Sequence, residues 1–239
     1  IVRYLGASPY KGRKGIEPCG AKGVYLVEIL ERKNDLLKIS NLINRSRLKE
    51  AKDLGVHVGF VEAEHVYPMV GGRNIEKWGL NSYIYMVVPH FSYGEGIYRG
   101  IPVETLQSKY YRTYDWLFYF YNLLRDTRIR SAKFFDIKQF PWYRLDNVGD
   151  YTFKPYKVLW QEQAKAVDCC VVSSISDDFV SDKKVVTDSK VLFVSFDTEN
   201  EAHYLCGVLN SEIIEQIIQG YTIDTNRGTD VEKYSHPTI

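Results

Sequence analysis

The sequence has few cysteines and no long apolar run. Among its 239 residues are only four cysteines, and they show neither the density of a disulfide scaffold nor the CxxC spacing of a zinc site. No stretch reaches the roughly 18 uncharged apolar residues that a membrane-spanning helix needs. A disulfide-rich scaffold and a membrane-helix protein are therefore excluded as classes, and reduced thiols fit a cytoplasmic protein.

Residues required by several common catalytic mechanisms are also missing. The segment GIEPCGAK, at residues 15–22, has two glycines but misplaces the lysine of a P-loop and lacks its hydroxyl residue. No Gly-x-Ser-x-Gly turn occurs, and the five histidines never take the His-x-x-x-His spacing of zinc hydrolases. We therefore predict that this chain has no catalytic, cofactor-binding or metal-binding residues of its own.

The residues that are present form short periodic segments of both kinds. Apolar and polar residues alternate from Gly23 to Ile43 around an Asn34-Asp35 pair, which predicts a β-hairpin. After Pro102, apolar residues recur at steps of three and four, which predicts one long helix at about 102–126 with its aromatic stripe in the core. Further helices are predicted over 46–54, over 61–69 and after a Thr198/Glu201 capping box, and strands over 82–89, 156–163, 169–175 and 191–196.

This element order predicts an α+β fold, because strands and helices do not alternate in a βαβ rhythm. We expect twisted, mostly antiparallel sheets packed with a few helices in a single domain over 1–239. Lobe 1 would cover about 1–100 and lobe 2 about 127–239, with the long helix between them. The chain begins with Ile1 rather than Met, so we expect a fragment of a longer protein.

Charge is distributed unevenly along the chain. Residues 1–160 hold 25 Lys and Arg against 16 Asp and Glu, whereas residues 161–239 hold 6 against 14. The glycine-rich segment PYKGRKGIEPCGAKG at 9–23 is the most unusual part of the basic portion. This asymmetry predicts a basic surface suited to a polyanion and an acidic end that faces elsewhere.

Three segments, in this order, carry a resemblance to a known family. The first is YKGRKGIEPCGAKGVYLVEIL, in which Lys22 stands where the family pattern has Asn, and the second is YTFKPYKVLWQEQ, with Lys157, Val158 and Trp160. The third is VLFVSFDTENEAHYLCGVLNSEII, and its matching residues are Glu201, Ala202, Tyr204, Leu205, Leu209, Asn210 and Ser211. Together these segments resemble the C-terminal target recognition domain of adenine-N6 DNA methyltransferases of Type II restriction-modification systems.

The resemblance implies a parent enzyme that transfers a methyl group from S-adenosylmethionine to an extruded adenine, usually through an Asp/Asn/Ser-Pro-Pro-aromatic motif. This chain contains no Pro-Pro pair. The resemblance therefore implies recognition of double-stranded DNA here, with the cofactor and the chemistry in a catalytic domain of the same parent chain. Whether that parent also carries an endonuclease domain stays open.

A domain that selects a DNA sequence needs cationic groups for phosphates and side chains that pair with base edges. Basic residues among glycines, guanidinium groups and carboxamides meet these needs. The candidate DNA contacts are Lys11, Arg13, Lys14 and Lys22 in the glycine-rich loop, Arg73 and Asn74 after a Gly71-Gly72 turn, Arg125, Arg128, Arg130 and Lys133 after the long helix, then Tyr143, Arg144, Lys157, Gln161 and Gln163.

Two other classes of function remain open at this point. The charge asymmetry also fits a protein-protein interaction or scaffold domain, whose affinity for DNA would not fall steeply with salt. A nuclease is the third alternative, although no cluster of carboxylates with a lysine has the spacing of a metal site.

Overall fold

A computed structural model describes residues 9–45, 52–94, 96–130, 139–164 and 166–219. Helices combine with mostly antiparallel sheets, so the predicted α+β class is confirmed. The helix predicted over 46–54 falls mostly outside the described residues, as does Gly220, the residue predicted to end the last helix.

The larger sheet has six strands in the order β13-β5-β8-β2-β3-β4. Its β2–β3 pair is the hairpin predicted around Asn34, which adopts a left-handed backbone with φ 53° at the turn. The strands are β2 (Leu26–Lys33), β3 (Leu36–Asn41), β4 (Val58–Glu62), β5 (Val66–Val70), β8 (Ile84–Val87) and β13 (Val186–Thr187).

The smaller sheet has four strands in the order β1-β14-β9-β10. The three longer strands confirm the predictions over 156–163 and 191–196 and the first part of that over 169–175, whose last two residues form a separate short strand. The strands are β1 (Arg13–Lys14), β9 (Tyr156–Gln161), β10 (Cys169–Val172) and β14 (Val191–Phe196). Two short pairs complete the strands: β6 (Ile75–Glu76) with β7 (Gly79–Leu80), and β11 (Ser174–Ile175) with β12 (Lys183–Lys184).

The segment predicted as one long helix is a run of three. They are α2 (Val103–Lys109), α3 (Tyr111–Tyr119) and α4 (Tyr121–Arg130), and a four-residue helix, α1 (Lys22–Tyr25), precedes them in the chain. The first break has a tertiary cause: the carboxylate of Glu62, at the end of β4, accepts hydrogen bonds from the backbone N–H groups of Arg112 (3.1 Å) and Thr113 (2.8 Å). This contact caps the start of α3, and local periodicity does not reveal it. The aromatic stripe lies in or against the core, as predicted.

The prediction of a helix over 61–69 is wrong. The chain there completes β4, makes one 3-10 turn at Ala63–His65 and enters β5. All five residues of β5 are buried. A strand buried on both faces loses the apolar-polar alternation that distinguishes it from a buried helix, so periodicity could not decide between them.

The last helices are α5 (Glu199–Leu209) and α6 (Glu212–Gln219), separated by the break predicted at Asn210-Ser211. Ala202, Leu205 and Cys206 of α5 pack on one face of the smaller sheet. Asn210 fixes the helix end to edge strand β10, because its side-chain amide accepts from the N–H of Cys169 (2.9 Å) and donates to its carbonyl (2.8 Å).

The two sheets are joined by strands from distant parts of the chain. β1, near the start of the sequence, is an edge strand of the smaller sheet, and β13, from the last third, is an edge strand of the larger one. The division of the chain into two lobes at the helical run stays a prediction, and these two strands pass between its proposed halves.

Candidate nucleic-acid interface

The crossover between the two sheets is the structural centre of the candidate site. After β13, Asp188 donates its backbone N–H to the carbonyl of Val70 (3.0 Å), and three residues later the chain enters β14. The glycine-rich segment at 9–23 contacts the same crossover. The N–H of Gly15 donates to the carbonyl of Val191 (2.9 Å), and that of Ile16 donates to the carbonyl of Thr187 (2.8 Å). A side chain at Gly15 would collide with the backbone of Asp188, so glycine is required for this approach.

Two further predicted segments reach this crossover. The Nζ of Lys22, on α1, forms an ion pair with the carboxylate of Asp188. Gly72 begins a 3-10 turn that carries Arg73, and a β-carbon at Gly72 would lie 2.9 Å from Cγ of Gln161. Three segments therefore meet at this crossover, and they carry four of the predicted DNA contacts: Lys14, Lys22, Arg73 and Gln161.

A buried carboxylate, that of Glu162 after β9, holds two lysines near this crossover. The side chain of Glu162 is 1% exposed, and its two oxygens pair with two lysines: Oε1 with Lys14, and Oε2 with Lys190 at 2.6 Å. The two lysine side chains stay partly exposed, at 37% and 48%. We call the set Lys14, Lys22, Arg73, Gln161, Glu162, Asp188 and Lys190 the junction cluster. It contains four cations and two carboxylates.

The loop before the junction cluster adds two exposed cations. Lys11 is exposed, and the exposed guanidinium of Arg13 lies over the ring of Tyr151, 4.6 Å from its centroid. Asn74 is different, because its Oδ1 accepts from the N–H of Gly71 (2.9 Å) and its Nδ2 donates to Ser82 (2.7 Å). Its amide is thus engaged in the turn, and a base contact by Asn74 stays a prediction.

Three residues predicted as DNA contacts are interior hydrogen-bond donors. Arg128 is fully buried, Tyr143 is buried and donates its hydroxyl to the carbonyl of Ile101 (2.6 Å), and Arg144 is buried with Nε bonded to Tyr98 (2.6 Å). These placements argue against a surface role, and the three predictions are corrected. The sequence shows which residues are basic, but it does not show which of them are buried and bonded to carbonyl oxygens in the fold.

Lys157 is also buried, and its prediction as a DNA contact is corrected for the same reason. It is the second residue of β9, and its ammonium group donates to the carbonyl of Lys154 (2.9 Å). Burial, with a smaller contribution from the nearby charge of Lys184, lowers the pKa of Lys157 to about 7.

The second predicted basic cluster is only partly described. Arg125 pairs with its neighbour Asp126 (3.0 Å), and Arg130 is an exposed residue near the end of α4. Lys133 lies outside the described residues. Gln163 is exposed, two residues beyond Gln161 and past the end of β9. The contacts of these residues connect none of them to the junction cluster within the described ranges.

Sequence reasoning missed three members of the junction cluster. Lys190 lies in the acidic last third, where the segment charge gave no reason to look for a phosphate contact. Glu162 and Asp188 are acidic residues, and only the tertiary structure shows that they hold lysines at the surface. The sequence did offer one signal. Lys190 directly precedes a predicted strand, and Glu162 lies at the end of another.

The arrangement presents cations and a carboxamide at the junction of the two sheets, and such groups suit the binding of an anion. Within the described ranges, His, Cys, Asp and Glu form no group of three or more with the geometry of a metal site, and no helix is long and apolar enough to span a membrane. Comparison with protein-family models and with curated proteins gave no match to this chain.

Proposed function

We propose that this chain recognises a short sequence in double-stranded DNA, as the target recognition domain of an adenine-N6 methyltransferase of a restriction-modification system. The observation that carries the proposal is that the segments carrying Lys14, Lys22, Arg73 and Gln161 meet at the crossover between the two sheets. S-adenosylmethionine, the catalytic domain of the same parent and a cytoplasmic location belong to the same proposal, which the resemblance supports.

The side chains of the junction cluster divide by chemistry into two kinds of contact. Lysine ammonium groups are point charges suited to phosphate oxygens, and such contacts fix the register of a protein on the duplex. Arg73 has a guanidinium suited to the O6 and N7 atoms of guanine, and Gln161 has a carboxamide suited to adenine. Both kinds of contact are needed for sequence recognition.

A randomised pool of double-stranded DNA tests the proposal directly. We expect the purified chain to retain DNA at low salt and to enrich a short motif, which sequencing of the retained molecules would identify. Arg73→Ala is expected to relax the preference at one base pair and to weaken binding by about 1–3 kcal/mol. Enrichment with the variant, compared with the wild type, measures this change.

Arg112→Ala is the matched control, because Arg112 is an exposed arginine on α3 whose guanidinium lies over the ring of Tyr111 (4.8 Å). It should leave both the motif and the affinity unchanged. Absence of any retention by the wild type at low salt would refute DNA recognition, and equal effects of the two variants would refute the role of Arg73.

A protein partner is the second candidate, and α6 favours it. Ile213 is 71% exposed and Ile217 is 50% exposed, one helical turn apart, beside the acidic residues Glu212 and Glu215. An exposed apolar stripe of this kind marks interaction surfaces. In a scaffold protein, changing both isoleucines to serine would abolish partner binding, whereas the DNA proposal predicts that DNA retention survives this change.

A further inference from the structure

The triad of Lys14, Glu162 and Lys190 has a more specific role than general positive charge. We propose that it binds one phosphate of the DNA backbone between two ammonium groups, with Glu162 as the residue that positions both lysines. This inference rests on the proposed function and extends it to one ligand group and to two residues that the sequence did not indicate.

The backbone around the triad is fixed by sheet hydrogen bonds. Lys14 is paired with Leu192 across the β1–β14 ladder, and Lys190 directly precedes the first residue of β14. Glu162 follows the last residue of β9, and its N–H bonds to the carbonyl of Lys190 (3.1 Å). Lys14 therefore starts from a strand and Lys190 from a turn whose carbonyl is hydrogen-bonded, which reduces the conformational entropy lost when they bind a ligand.

The carboxylate between them is retained in its charged form. Burial alone would raise the pKa of Glu162, but hydrogen bonds from Lys14 and Lys190 outweigh it and lower the pKa below its ordinary value. As a set, the three groups carry one net positive charge. An ammonium group has three donors, so a lysine can bond to protein acceptors and to a phosphate oxygen at the same time.

The two ammonium groups are held by the two oxygens of the same carboxylate, so they lie close together at the surface. A single phosphate, which has several acceptor oxygens, can therefore bond to both ammonium groups. A positioning role for Glu162 gives an unusual expectation, because removal of a negative charge should then weaken binding to a polyanion.

Salt dependence of the dissociation constant for the selected duplex tests the inference. We expect Lys14→Ala and Lys190→Ala each to weaken binding several-fold, and the double variant to lower the slope of log K against log salt by about 0.9, the value for one phosphate. A reduction of about 1.8 would indicate two separate phosphates and overturn the shared site. Lys33→Ala is the control, since Lys33 is an exposed lysine that also pairs with a glutamate, Glu31 (3.3 Å).

Glu162→Gln separates positioning from simple electrostatics. We expect weaker binding in the variant, with a melting temperature measured in parallel to confirm that it is folded. Tighter binding would overturn the positioning role, because it is the result that net charge alone predicts. If the variant does not fold, the two lysine variants still test the phosphate site, since their side chains are partly exposed.

The outcomes distinguish this inference from the proposed function. Absence of binding by the wild-type chain overturns both. Sequence-specific binding by the wild type, with an unchanged salt slope in the double lysine variant, overturns the phosphate site and leaves DNA recognition intact.

Discussion

The guanidinium of Arg128 is surrounded by protein oxygens rather than by solvent. It donates to the carbonyls of Pro18 (3.3 Å) and Arg144 (3.0 Å) and to the hydroxyls of Thr127 (2.9 Å) and Tyr25 (3.0 Å). We expect Arg128→Met to lower the free energy of unfolding by about 3 kcal/mol, because it leaves these acceptors without their donor. Urea denaturation measures the loss, and an unchanged midpoint would contradict it.

Because Arg128 stabilises the fold, its replacement is a poor test of DNA contact. A variant that fails to fold also fails to bind, and the two causes give the same result. Arg73 and Lys190 are better choices, since both are exposed.

Lys157 gives the second prediction at the residue scale. Its pKa is about 7 in the folded protein and about 10.4 in an unfolded chain, so between these values the unfolded state binds more protons. Stability should therefore rise with pH across this window, by up to about 1.4 kcal/mol per pH unit. Below pH 7 both states bind the proton, so Lys157 no longer makes stability depend on pH. Denaturation of the wild type and of Lys157→Met from pH 7 to 10 should show a smaller slope in the variant. Equal slopes would contradict the buried lysine as the cause.

At the scale of the element, Glu62 determines where α3 begins. Its carboxylate accepts from two backbone N–H groups of the first turn and from the hydroxyl of Thr113 (2.5 Å). We expect Glu62→Ala to destabilise the protein by about 1–2 kcal/mol and to speed amide exchange in α3 first, because the cap is lost. Glu64→Ala, two residues away and exposed, is the control and should change stability by less than about 0.5 kcal/mol.

The same elements show what local sequence can predict. The β2–β3 hairpin and β14 were predicted correctly, because alternation and turn residues lie within the segments themselves. The break before α3 was not, because its cause is a side chain about fifty residues earlier in the chain. β5 was missed since burial on both faces removes its periodicity.

At the scale of the whole molecule, two buried histidines predict sensitivity to acid. Burial, with smaller contributions from nearby cationic groups, lowers the pKa of His65 to about 3. It lowers the pKa of His90 to about 4, although its hydrogen bond to Ile97 acts in the opposite direction. Unfolded histidines bind protons near pH 6.5, so stability should fall as the pH drops from 6.5 towards 4, by up to about 1.4 kcal/mol per pH unit for each residue.

Chemical denaturation between pH 4.5 and 7 checks this expectation. His65→Phe keeps an aromatic ring against Tyr110, whose centroid lies 4.4 Å from that of His65, and should remove about half of the acid slope. His203→Phe, at an exposed position on α5, is the control. A slope unaffected by His65→Phe would assign the acid sensitivity to other groups.

The candidate site could be predicted only in part, because contacts between residues far apart in the sequence form it. Glycines and basic residues in the first loop pointed to Lys14 and Lys22, and a Gly-Gly turn pointed to Arg73. Their gathering around Asp188 and Glu162 depends on contacts between residues more than a hundred positions apart, such as Lys14 with Glu162. Composition and spacing contain no information about such contacts.

The exchange of edge strands also bears on how the protein can be divided. A chain cut within the helical run would leave β1 in one fragment and its partner β14 in the other, and would separate β13 from β5. Each fragment would expose an unpaired sheet edge, which promotes aggregation when the fragment is produced alone. Produced together, the two pieces would restore both ladders only by associating, so complementation between them would report on the same crossover that positions the junction cluster.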